Sequence, residues 1–152
     1  MGKSIFISYR RIGSSWSTRS LHERLGTQFG KDHVFMDVTD IDYGSDFADR
    51  IEKEIGRCDV VLVVIGPQWL SAADTEGNRR LDNPGDYVRM EIGMGLKRRI
   101  PVIPILVDGA SMPGEEALPD DLKPLTRRNA IELRHSHFDG DIQLLLDSLQ
   151  EI

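Results

Sequence analysis

Two adjacent arginines, Arg10 and Arg11, close an apolar run that begins at Ile5 and ends at Tyr9. A buried strand cannot hold them, so they fall at its tip. In sheets whose strands alternate with helices, ligands bind beyond the carboxyl ends of the strands, where the strand order reverses. Two readings are open for the pair. The planar guanidinium fork matches phosphate or carboxylate oxygens and stays charged near neutral pH, which suits an anionic ligand. Equally, the arginines are an ion-paired or solvated surface feature.

A second constellation is Tyr87 and Glu91, four residues apart in the stretch Asp86 to Leu96. That stretch reads as a helix with Val88, Ile92 and Leu96 as its core stripe. On a helix, residues four apart are neighbours, so a ring and a carboxylate stand side by side one turn into the element. A lone glutamate on a helix is ordinarily a solvated residue. Its place near the rim of the same crevice sets Glu91 apart, as do Gly93 and Gly95, which weaken the helix without a reason in propensity. Cys58 precedes an apolar strand with no histidine close in sequence, and is expected to be an inert core thiol. His135 and His137 could share a strand face, but without further ligands no metal site is expected.

The elements that must position these residues alternate along the chain. Ser4 to Ser8 reads as a strand. Ser14 to Phe29 reads as a helix with Leu21, Leu25 and Phe29 on one face, ended by Gly30. A short strand, His33 to Asp37, is followed by a turn-rich piece from Thr39 to Gly44. Next comes a helix with Ser45 as N-cap and Phe47, Ile51 and Ile55 sharing a face. Val60 to Ile65 has no polar alternation, the pattern of a central strand covered on both sides. A long polar connection, Gly66 to Pro84, carries Trp69, Arg79 and Arg80, and a loop of that length is more often functional than idle.

After the Glu91 helix, Ile100 to Val107 reads as a strand, in which Pro104 argues for an edge or a bulge. A loop rich in proline and glycine leads to a helical turn near Leu122 and a strand from Asn129 to Leu133. The final helix carries Ile142, Leu145, Leu146 and Leu149. This order predicts an α/β, flavodoxin-like three-layer fold: a five-stranded parallel sheet of order 2-1-3-4-5 with helices on both faces. The switch point then lies between the first and third strands, where Arg10 and Arg11 sit.

The chain has 152 residues, 39% of them hydrophobic, which suits one domain spanning residues 1–152. A first strand near the first residue and a last helix reaching Ile152 are expected of a domain taken from a longer protein. The net charge of −6 disfavours a general affinity for nucleic acid or anionic membrane. A single cysteine excludes an internal disulfide and leaves too few soft ligands for zinc. With no apolar stretch near the roughly 20 residues of a spanning helix, and no signal peptide, a cytoplasmic location is expected.

At these residues the chain resembles TIR (Toll/interleukin-1 receptor) domains, of the kind found in bacterial defence proteins and in the animal axon-degeneration NAD hydrolase. Phe6-Ile7-Ser8-Tyr9-Arg10-Arg11 is similar to the first conserved box of that family. Val34-Phe35-Met36-Asp37 and Asp42-Tyr43-Gly44 are similar to its second strand and the loop behind it. Ile65-Gly66-Pro67 followed by Trp69 resembles the motif after the third strand. Tyr87-Val88-Arg89-Met90-Glu91 resembles the Trp-x-x-x-Glu motif of the enzymatic members, with tyrosine in place of tryptophan.

The resemblance implies that NAD is the substrate rather than a cofactor, that the bond cleaved joins ribose to nicotinamide, and that Glu91 is the catalytic residue. It further implies substrate contacts from Arg10 and Arg11 to the pyrophosphate or the neighbouring ribose, and stacking by Phe35 and Tyr87. Asp37, Ser8 and Trp69 complete the expected binding group, against plainer roles as a turn cap, a strand end and a core side chain. The partners implied are other TIR domains, through self-association, and a sensor outside this chain. A non-enzymatic adaptor working through Asp40 to Ser45 and Ser71 to Pro84 is the alternative. A phosphorelay receiver is set aside, because it needs carboxylates at the strand tips to hold magnesium.

Overall fold

Side-chain parity on two strands organises the molecule. In the computed structural model, which describes residues 3–11, 15–36, 44 and 46–152, β1 (Ile5–Ser8) and β3 (Val60–Ile65) lie side by side and are buried along their whole length. Successive residues of a strand face opposite sides. Ile5, Ile7, Leu62 and Val64 therefore join one core with Leu21 and Leu25 of α1 (Ser15–Phe29) and with Ile142, Leu145, Leu146 and Leu149 of α4 (Phe138–Gln150). Phe6, Val61, Val63 and Ile65 join a second core. Its other walls are Ile51 and Ile55 of α2 (Phe47–Gly56) and Val88 and Ile92 of α3 (Tyr87–Lys97).

The sheet is completed by β2 (Val34–Met36), β4 (Val102–Val107) and β5 (Ile131–Leu133), all parallel, in the order β2-β1-β3-β4-β5. This is the expected topology. β3 fills the whole of its expected run, while β1, β2, β4 and β5 each begin one or two residues later than expected. Gly30 has φ of +97°, a left-handed conformation suited to the residue that ends α1. Cys58 is buried and donates to the Glu54 carbonyl, and burial pushes its thiol up to about 12.

Four local expectations change. Pro104 lies in an interior strand, opposite Val63, without a bulge in the register. The ring is accommodated because β5 begins pairing only at Ile105, so at Pro104 the strand is locally an edge. The N-cap of α2 is Asp46, whose carboxylate accepts from the Ala48 amide; Ser45 lies outside the described residues. Phe47 is 39% exposed, off the core face that Ile51 and Ile55 occupy. In α3 the small residue Gly95 is buried in the stripe and Leu96 only flanks it.

The Gly66 to Pro84 connection has structure of its own. Ala73 and Arg79 form an antiparallel bridge around a turn in which the Asp74 carboxylate accepts from the amides of Glu76 and Asn78. Its two ends are pinned by the buried side chains of Trp69 and Leu81. A 3-10 helix, Asp120–Arg127, packs Leu122 and Leu125 against α3 from the other side.

Candidate active site

Ser8 shares the parity of Phe6, so it faces α3 rather than α1. There it meets Glu91, and its hydroxyl donates a 2.9 Å hydrogen bond to Oε1. Both groups are buried, Ser8 wholly and Glu91 to 6% exposure. A buried carboxylate costs free energy unless it is hydrogen-bonded, and the Ser8 hydroxyl offsets part of that cost.

Two residues past the strand, the same parity carries Arg10 toward the start of α3. Its two terminal nitrogens bind both oxygens of Asp86 at 2.7 Å, a bidentate pair with each side chain about 8% exposed. Asp86 is also the N-cap of α3, accepting from the Arg89 amide. One carboxylate thus starts the helix and ties it to the tip of β1. Negative charge at a helix N-terminus is favourable in its own right.

Above Glu91 opens a cavity of about 470 Å³, within the range of about 300–1,000 Å³ typical of small-molecule sites. Ile7, Tyr9, Arg10 and Arg11 form its β1 side, and Asp86, Tyr87, Val88 and Glu91 its α3 side. Ala72, Asp74, Arg80, Asn83 and Gly85 of the long connection supply the remaining wall. The Tyr87 ring lies 5.0 Å from that of Phe47, inclined at 41°, so an aromatic pair stands at this edge. The exposed Phe47 is thereby explained.

The structure brings together Arg10, Arg11, Tyr87 and Glu91 and leaves other expected ligands elsewhere. Trp69 is 1% exposed and packs in the core, with its amide closing a turn on the Gly66 carbonyl. Phe35 pairs in register with Phe6 and packs on the same core. Neither lines the cavity. Ser8 lies beneath it, bonded to Glu91 instead of facing a ligand. Arg10 does line it, but its guanidinium already grips Asp86. Asp37, and the loop from Asp40 to Ser45 apart from Gly44, fall outside the described residues.

Sequence reasoning did not place Asp86 or Arg80 in the site. Asp86 carried a signal, since aspartate directly before a helix is a capping residue. Arg80 carried none, because only the folded connection turns it toward Glu91. His135 is used elsewhere: its Nε2 lies 2.6 Å from Asp108 Oδ1 and its ring stacks on Trp16. Among the described residues no cluster of three or more His, Cys, Asp or Glu could hold a metal.

The β2-β1-β3-β4-β5 sheet agrees with comparison to known proteins. The family model for the TIR domain matches residues 5–146. This chain belongs to the TIR domain family. The TIR domain is 25% identical over 149 residues to the NAD(+) hydrolase SARM1 of Danio rerio, covering 98% of this chain and 20% of that protein. It is 26% identical over 141 residues to the NAD(+) hydrolase sarm1 of Drosophila melanogaster, covering 93% of this chain and 10% of that protein. The chain thus spans a fifth or less of these relatives' length.

Among solved structures, the TIR domains of the activated Roq1 resistosome superpose with a TM-score of 0.68 at 15% identity, covering 97% of this chain and 99% of that one. A prokaryotic SEFIR domain gives 0.54 at 22% identity, covering 94% and 95%. These two likenesses speak to the fold. Among the described residues, no helix of this TIR domain is long and apolar enough to cross a membrane.

Proposed function

We propose that this TIR domain cleaves the bond between ribose and nicotinamide in NAD, with Glu91 as the catalytic carboxylate. The observation that carries the reading is Glu91 itself: buried, held by Ser8, and lining a cavity of about 470 Å³ with an aromatic ring and cationic side chains around it. The similarity to two NAD(+) hydrolases supports it.

One carboxylate suffices for this bond. Most glycosidases need a second as general acid, to protonate the departing oxygen. Nicotinamide in NAD is already a cationic pyridinium and departs neutral, so no proton is required. What must be stabilised is the positive charge that develops on the ribose. A preorganised carboxylate beside it does so by charge, by holding the ribose hydroxyls, or by a transient bond to the sugar. The hydroxyl of Ser8 holds one oxygen of Glu91 and so constrains how the carboxylate is presented. Tyr87 supplies a surface for a ring, and Arg11 a charge for the phosphates.

The test is incubation with NAD followed by chromatography, comparing the chain with Glu91→Gln, which keeps shape and removes charge. Nicotinamide release is expected to fall by about a hundredfold or more. Equal release by both proteins would falsify the assignment. The same trace separates ADP-ribose from cyclic isomers formed when an adenine or ribose atom replaces water.

Self-association belongs to the same proposal: assembly of TIR domains raises the activity, in a defence or signalling setting inside the cell. Release per subunit is expected to rise with protein concentration. A flat rate over several decades removes that part. No release by either protein, even under crowded conditions, favours an adaptor.

A further inference from the structure

We infer that Arg80, on the connection between β3 and α3, is a substrate-binding residue that takes the pyrophosphate of the dinucleotide, alongside Arg11 and in place of Arg10. The inference rests on the NAD reading of the cavity and deepens it.

Three arginines line the cavity: Arg10, Arg11 and Arg80. The fork of Arg10 is spent on Asp86, with both terminal nitrogens on its two oxygens at 2.7 Å. To bind a phosphate it would have to release the cap of the helix that carries Glu91. Arg80 is differently placed. Its Nε donates to the Ala73 carbonyl at 3.2 Å, and among the described residues its guanidinium makes no ion pair with a carboxylate. The two terminal nitrogens, with the geometry that suits phosphate oxygens, are left to a ligand.

The arginine also stands on a fixed wall. Its own amide donates to the Ala72 carbonyl at 2.8 Å, and the Ala73 to Arg79 bridge closes the turn before it. The next residue, Leu81, is fully buried, and its carbonyl accepts from Arg89 Nη1 on α3. Backbone on both sides of Arg80 is thus held before any ligand arrives, which reduces the ordering cost that a long surface side chain otherwise pays on binding. Arg80 and Glu91 face one cavity from separate walls, as the two ends of an elongated substrate require: pyrophosphate toward the connection, nicotinamide ribose over the carboxylate.

The test compares Arg80→Gln and Arg80→Lys with the unaltered chain, and with Arg57→Gln as a charge-matched change remote from the cavity. For NAD cleavage, Arg80→Gln is expected to raise KM about tenfold, the loss of one charge-assisted contact, with kcat within about twofold. Arg80→Lys recovers much of the loss, and the gap between Arg80→Gln and the unaltered chain narrows as salt is raised. An unchanged KM, or the same rise in Arg57→Gln, overturns the proposal. Calorimetric titration with ADP, which involves no cleavage, separates this failure from failure of the hydrolase reading. ADP bound about tenfold more weakly by Arg80→Gln supports the role of Arg80 even if NAD is not cleaved. Equal affinity, or no binding by either protein, overturns it.

Discussion

Ser8 Oγ donates a 2.9 Å hydrogen bond to Glu91 Oε1, joining the last residue of β1 to the middle of α3 inside the core. The bond couples an element of the central sheet to the proposed catalytic group. Without it the carboxylate keeps its place in the chain but loses one constraint on its orientation. Ser8→Ala is therefore expected to lower kcat for NAD cleavage by about ten- to a hundredfold, the scale of a misplaced reacting group, with little change in KM. Ser8→Thr, which keeps the hydroxyl, recovers part of the rate. A rise in KM with kcat intact would instead return Ser8 to substrate binding.

The Arg10 and Asp86 pair predicts a stability effect. Both side chains are about 8% exposed, so removing either partner takes from the other its close counter-charge in a desolvated place. Arg10→Ala and Asp86→Ala are each expected to lower the unfolding free energy by about 3 kcal/mol in urea melts. The double variant should cost less than the sum of the singles, since the second change leaves no charge behind. Additive losses would show that the two residues act independently.

Gly93 and Gly95, which look alike in the sequence as weak points of one helix, separate in the structure. A Cβ on Gly95 would meet Cγ2 of Val102 and of Val61 at 3.2 Å, where α3 rests on the sheet. Both neighbours are β-branched and stiff, so Gly95→Ala is expected to destabilise by about 1 kcal/mol despite its gain in helix propensity. A Cβ on Gly93 finds Asp121 Oδ2 at 3.7 Å, an ordinary contact. Gly93→Ala should then stabilise by about 0.5–1 kcal/mol. Thermal melts of the two variants moving in the same direction would refute this account of α3 packing.

The parts of the fold legible in the sequence are those where one residue type has one use. Val60 to Ile65, short, rich in β-branched residues and apolar at every position, has the pattern of a strand covered on both faces, and it is the centre of the sheet. The site was legible where local geometry decides it, as with the spacing of Tyr87 and Glu91 on one helix. It was not legible where partners come from distant segments. Arg10 reads as a ligand for an anion until the fold supplies Asp86, 76 positions away, as that anion. Trp69 and Phe35 are aromatic in either role, and only strand register and a turn place them in the core. Arg80 sits in a polar connection whose sequence carries no period to show which way it faces.

The end of β5 and the start of α4 are joined by a pair with a clear dependence on pH. Asp141 accepts from the Arg134 amide at 2.8 Å and from its guanidinium at 3.0 and 2.8 Å. The guanidinium hydrogen bond holds the Asp141 carboxyl at about 2, below its ordinary 3.8, with burial opposing and the amide assisting. A carboxyl whose pKa is depressed by folding stabilises the folded state above the unfolded value, and that contribution is lost as pH falls toward the folded one. Asp141→Asn keeps an acceptor but cannot titrate. The urea midpoint of the unaltered chain is therefore expected to exceed that of Asp141→Asn at pH 7, and the gap to close between pH 3.8 and about 2. A gap that stays constant through that window would mean that the pair contributes by shape rather than by charge.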